Sequence, residues 1–308
     1  MSPAAPISLQ RAVPVVFVLI WSTGFVVARY GMPHAGPMFF LSLRFALSVL
    51  AFGVWIVLSG ARWPRNRAQW LHLSVTGLLM HAGYLGGVWA AVKGGLGAGM
   101  AALIVGLQPV LTALWISARG SAEQRVRVQQ WLGLVLGLAG LVLVVWHKLH
   151  LGQVQAWNIA LAVLALLSIT AGTLYQKRWV TACDVRTASA VQLLAALLVT
   201  APLAWVEPHG FDMHPELLGA LIWSVLVLTL GGSSLLYMLI QRGAATAVTS
   251  LMYLVPPCTA VLAWWLFDEV FTALGMLGLV CTVLGVALVV RQVPARPALA
   301  AAAVSRGS

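Results

Sequence analysis

His81 and Tyr84 stand three residues apart in "GLLMHAGYLGGVWA", so on a helix they share one face, with Val88 continuing it and Trp89 beside it. An imidazole and a phenol on one face can hydrogen-bond a polar solute, or be satisfied by a neighbouring helix. Similar groups recur in apolar surroundings: Trp21, Ser22 and Thr23 in "LIWSTGF", Gln108 beside Pro109, and Tyr175 three residues past Gly172. Ser233, Ser234 and Tyr237 lie in "TLGGSSLLYMLI", and Tyr253 one turn before Pro256 and Pro257. Hydroxyls, amides and aromatic rings of this kind suit binding, although serines can also bond their own helix at i−4 and Tyr175 can sit in an interfacial belt. They do not make a catalytic set. His34, His72, His81, His147, His150, His209 and His214 form no HExxH pattern, and no GxSxG elbow is present. Cys183, Cys258 and Cys281 are scattered, with neither CxxC nor zinc-ligand spacing. No enzyme activity, cofactor or metal is expected.

The elements that hold these groups are membrane helices. The chain is 61% hydrophobic and 8% charged, with a mean hydropathy of +0.95. That leaves too little polar surface for a soluble 308-residue protein. Ten apolar runs without period-2 alternation read as helical spans rather than barrel strands: 14–31, 37–58, 70–92, 98–117, 128–146, 157–179, 187–206, 217–241, 244–267 and 274–290. The fold class is therefore an all-α integral membrane protein. Short tails at 1–12 and 292–308 flank it.

The net charge of +11 sorts by side rather than marking a nucleic-acid binder. If the spans alternate, Arg11, Arg62, Arg65, Arg67, Arg119, Arg125, Arg127, Lys177, Arg178, Arg186, Arg242, Arg291, Arg296 and Arg306 share one side. The opposite loops hold Lys93 and Lys148 with Glu207, Asp212, Glu216, Asp268 and Glu269. Positive charge marks the cytoplasmic side, so both termini are expected there.

The sequence also repeats. A shift of 148 pairs Gly24 with Gly172, Arg29 with Lys177, Gly83 with Gly231 and Trp89 with Tyr237. A shift of 147 lays P-x-x-T-A at Pro109 over P-x-x-T-A at Pro256, and a shift of 145 pairs Gly133 with Gly278 and Gly140 with Gly285. Two units of five spans, 13–147 and 155–291, must then enter the membrane from opposite sides, the inverted repeat of alternating-access carriers. Prolines at equivalent places in spans four and nine suit kinks that act in gating. The glycine stripes of spans five and ten (Gly133, Gly137, Gly140; Gly278, Gly285, with Thr282) suit packing, within the fold or in a homodimer. Arg29 can snorkel to an interface, whereas Arg44, about two turns into span two, must bond helix-end carbonyls or a cavity group.

"WSTGFVVARYGMP", the arginine of "SLRF", the P-x-x-T-A helices and "FDE" after span nine together resemble the EamA-type drug/metabolite transporter superfamily, over roughly residues 13–291. The resemblance implies a ten-helix inner-membrane carrier, with spans one, three, four, six, eight and nine around a central cavity, exporting amino acids or other small metabolites. It also places a Glu after span four, where this chain offers only Glu123 in "ARGSAEQ". A cavity rich in Trp, Tyr, Ser and His and poor in acids suits a small amphipathic solute; a multidrug or cationic-compound exporter is the alternative. With no Asp or Glu in mid-span, His81 is the deep titratable candidate, and the composition leans towards uniport. A channel would need a charged or carbonyl-rich filter, which the sequence lacks.

Overall fold

The computed structural model describes residues 7–119, 128–150, 154–207, 211–232, 235, 254–269 and 272–290. Among these residues there is no strand, and a helix falls on each apolar run. In chain order they are α1 (Ile7–Gly31), α2 (Pro37–Ser59), α3 (Arg67–Lys93), α4 (Ala98–Val105) and α5 (Gln108–Arg119), followed by α6 (Val128–His150). The rest are α7 (Ala156–Trp179), α8 (Val185–Val206), α9 (Pro215–Gly231), α10 (Val255–Phe267) and α11 (Ala273–Val290). Helices α2, α3, α7 and α8 are long and apolar enough to cross a membrane. α1 begins at Ile7, inside the stretch expected as a tail.

Helix starts follow local chemistry, and two of them contrast. Pro37 opens α2 at a position whose missing N–H costs nothing. The next two amides, of Met38 and Phe39, donate to the Glu207 carboxylate at 2.9 and 3.0 Å. Its carboxylate occupies the space where a Cβ at Gly36 would point. α8 is capped from its own sequence instead: the Arg186 amide donates to Asp184 at 2.9 Å. The Arg186 guanidinium also bonds that carboxylate and holds its pKa below the ordinary 3.8.

The expected kink in span four takes another form. The span breaks between α4 and α5 at Gly106 and Leu107, and Pro109 sits in the first turn of the helix that restarts. A proline lacks the donor that a first turn leaves unpaired, so Pro109 marks a helix restart rather than a bend within a continuous helix. Pro256 and Pro257 lie in the first turn of α10, and residues 244–253 of span nine lie outside the described residues. The break in span four faces α10, because a Cβ on Gly106 would lie 2.7 Å from the Pro256 ring.

The glycine stripes of α6 and α11 pack against each other within the chain. Thr282 donates to the carbonyls of Gly278 at 2.8 Å and Gly137 at 3.3 Å. A Cβ at Gly140 would come within 2.5 Å of the Gly278 carbonyl, so the two backbones touch where neither carries a side chain. Their other faces present Leu132, Val135, Leu138 and Val142 with Leu277, Val280 and Leu284 to the surroundings. At the bundle periphery Val57 and Leu58 are about four-fifths exposed and Trp205 is 92% exposed, an apolar surface made for lipid.

Candidate functional site

Inside the bundle is a cavity of about 130 Å³ open to water-sized solutes. At roughly 10–15 Å³ per water, it takes a solute on the order of ten non-hydrogen atoms. α1 supplies Trp21; α2 supplies Arg44 and Phe45; α3 supplies Met80, His81, Tyr84 and Trp89; α7, α8 and α9 add Ile169, Leu193, Leu228 and Thr229.

Two departures from α-helical geometry shape its walls. α3 widens to π-helical turns at Leu78–Gly83, carrying His81, and α9 does so at Trp223–Gly231, carrying Thr229. The Thr229 hydroxyl donates to the Ser224 carbonyl five residues back, at 2.8 Å. Such segments recur at functional sites.

The shift of 148 read from the sequence orders this lining into pairs. Trp21 maps onto Ile169, Phe45 onto Leu193, Met80 onto Leu228 and His81 onto Thr229, and all eight line the cavity. Arg44 donates from Nη2 to Thr229 Oγ1 at 3.2 Å, with Nε at 3.4 Å. The mates of these two residues at the same shift are Gln192 and His81.

Of the candidates read from the sequence, the structure brings Trp21, Arg44, His81, Tyr84 and Trp89 to this cavity. Tyr84 is buried, and Trp89 is buried with its ring stacked on Phe40 at 4.3 Å. The others lie elsewhere. Ser22 is fully buried in the joint between α1 and α10, donating to Val18 at 2.7 Å while its own carbonyl accepts from Thr259 at 3.1 Å. Thr23 accepts from the Trp223 indole at 2.9 Å on the outer side of α9. Gln108 donates to Thr173 at 2.9 Å, and Tyr175 pairs with His72 at 2.7 Å in a cluster with Trp179. Ser233, Ser234, Tyr237 and Tyr253 lie outside the described residues, as does Glu123. Sequence reasoning missed Phe45, Met80, Ile169, Leu193, Leu228 and Thr229. The shift of 148 applied to His81 would have found Thr229.

A second polar cluster ties the two halves together at one end of the bundle. His34 reaches Glu216 at 3.1 Å and Asp212 at 3.5 Å, and its ring stacks on His214 at 4.0 Å. The Asp212 amide donates to the His34 carbonyl at 2.9 Å. At the same end Ala98, which opens α4, donates to Glu269 at 2.9 Å, and Lys93 bonds the Met32 carbonyl at 2.6 Å. Arg29 lies over the Phe267 ring at 5.9 Å.

The model of the EamA-like transporter family matches this chain twice, over residues 13–146 and 156–291. An Escherichia coli (strain K12) protein named "Uncharacterized inner membrane transporter YedA" is 27% identical, over 92% of each chain. A Salmonella typhimurium protein named "Probable amino-acid metabolite efflux pump" is 24% identical, over 87% of this chain and 90% of its own. An "Uncharacterized transporter" of Archaeoglobus fulgidus is 25% identical, over 84% and 90%. A protein crystal structure superposes with a TM-score of 0.61 over 90% of this chain and 96% of its own, at 16% identity, a likeness of fold.

Proposed function

This chain belongs to the EamA-like transporter family, and from that premise we propose that it carries a small amphipathic metabolite, an amino acid or related compound, out of the cell across the inner membrane by alternating access. The observation that carries the reading is the paired lining of the cavity. Trp21 and Ile169, Phe45 and Leu193, Met80 and Leu228, and His81 and Thr229 are repeat mates that all line it. A cavity built from equivalent positions of two like units can face either side of a membrane when the units exchange conformations. The helix restart at Pro109 and the first turn of α10 at Pro256, which meet at Gly106, are the hinges in this reading. The two π-helical segments are wall elements of the cavity.

Cavity size and lining support a metabolite over a large drug. A space for about ten heavy atoms fits an amino acid. Trp21, Phe45 and Trp89 offer apolar faces, and His81, Tyr84 and Thr229 offer polar contacts. The relatives' names, with efflux of amino-acid metabolites among them, point the same way. In this reading a homodimer would form through the outer faces of α6 and α11, since their glycine faces already meet within one chain.

The test is counterflow in proteoliposomes. Vesicles loaded with an unlabelled solute should take up the labelled one transiently and saturably, across a panel of amino acids, amines and cationic drugs. Uptake that never saturates, or no counterflow with any member, removes the carrier reading.

A further inference from the structure

Arg44 is 8% exposed and lines the cavity, yet its one acceptor among the described residues is the neutral hydroxyl of Thr229. A guanidinium carries five donors and stays charged, so one hydroxyl at 3.2 Å leaves most of its hydrogen-bonding capacity unused. A buried charge without a counter-ion is costly, and more so within a membrane.

The chain has few anions to offer it. Asp184 is held by Arg186, Glu207 caps α2, Glu269 bonds the start of α4, and Asp212 and Glu216 face His34. Asp268 ends α10 in a left-handed turn at φ 51°. Glu123, outside the described residues, is the remaining acid of the seven in the chain. No described carboxylate lies within salt-bridge distance of Arg44. The equivalent position in the other half is the uncharged Gln192, so the repeat places a cation at one mate and none at the other.

We infer that the missing counter-ion is the substrate's carboxylate: Arg44 binds it through the guanidinium edge, and the site selects small carboxylates against amines and cationic drugs. This rests on the carrier reading and narrows its substrate class. The carboxylate takes the Arg44–Thr229 end, and the apolar part lies against Trp21, Phe45 and Leu193. An amine-only solute would bring a second cation beside a buried guanidinium, a repulsion that no nearby acid offsets.

The experiment compares pairs that differ only at this group: leucine with leucinamide, serine with serinamide and phenylalanine with phenylalaninamide, with isoamylamine and a cationic dye alongside. Initial counterflow rates are measured in proteoliposomes with the wild type, Arg44→Gln and Arg44→Lys. The wild type should favour carboxylate over amide by roughly tenfold to a hundredfold, the range of a hydrogen bond between charged groups. Arg44→Gln should bring that ratio close to one while amide flux persists. A purely structural role for Arg44 would lower both fluxes together and leave the ratio unchanged, which would overturn the inference. So would wild-type flux of amides or amines equal to that of the acids, an outcome that leaves the carrier standing. If no solute of any class moves, the carrier reading fails with it. Should Arg44→Gln not fold, the wild-type pair ratios together with Arg44→Lys decide the question.

Discussion

The two halves of the molecule carry different residues at equivalent positions. Arg44 of α2 reaches Thr229 of α9, and the repeat mates of these two residues are Gln192 of α8 and His81 of α3. The positions correspond, but the guanidinium is on one side. Duplication accounts for the paired lining, and departure from duplication makes it asymmetric. Helix capping shows the same divergence. Gly36 and Asp184 are mates at the shift of 148, yet α2 takes its cap from Glu207 in the other half, whereas α8 is capped by Asp184 itself.

The comparison breaks most readily at the charge. Arg44→Lys should recover little of the flux lost in Arg44→Gln, because a point charge does not reproduce the planar fork; the expected loss of carboxylate flux is about tenfold or more. Moving the charge sharpens the point. The double variant Arg44→Gln with Gln192→Arg should regain part of the carboxylate selectivity if the mates are equivalent, and initial rates for leucine and leucinamide report it. No recovery would mean that the halves have ceased to be interchangeable at this position.

Packing offers a second contrast. Gly77 on α3 lies against α8 so closely that a Cβ would stand 2.2 Å from the Gln192 carbonyl, whereas its mate Val225 is a buried valine. Gly77→Ala should therefore destabilise the protein by about 1–3 kcal/mol, as overpacking does, read as a fall in the Tm of the detergent-solubilised protein. A smaller effect is expected from Thr229→Val, which removes the hydroxyl between Arg44 and the Ser224 carbonyl. Carboxylate flux should fall roughly threefold to tenfold, the worth of a net hydrogen bond, and amide flux should fall less, so that the acid-to-amide ratio narrows. The smallest concerns Asp184. Its carboxyl is held below 3.8 by the Arg186 hydrogen bond, so its contribution to stability is present above that pH and is lost as the pH falls through the lowered value. Asp184→Asn should flatten this acid limb of a Tm-against-pH curve, with no matching change at neutral pH for carboxylate selectivity.

The helices were legible in the sequence because composition and run length suffice to specify them. Part of the cavity was legible for the same kind of reason: His81 and Tyr84 share a face, and the aromatic residues near them stand out in an apolar chain. Other elements depended on contacts that spacing does not encode. Ser22 and Gln108 look like ligand groups, but each is spent on joining helices, and only the partner helix reveals that. Pro109 stands beside an interruption, and the break at Gly106 and Leu107, which no residue pattern specifies, makes it a restart rather than a bend. The His34, His214, Asp212 and Glu216 cluster joins residues far apart in the chain, so no motif announces it.

The most direct test of the proposed alternating access is two-sided accessibility. With Cys183, Cys258 and Cys281 replaced by serine, Met80→Cys places a single thiol on the cavity wall. A membrane-impermeant thiol reagent added to either face of oriented vesicles should label it, and a saturating transported solute should protect it from both sides. Labelling from one face only, unchanged by solute, would contradict the account.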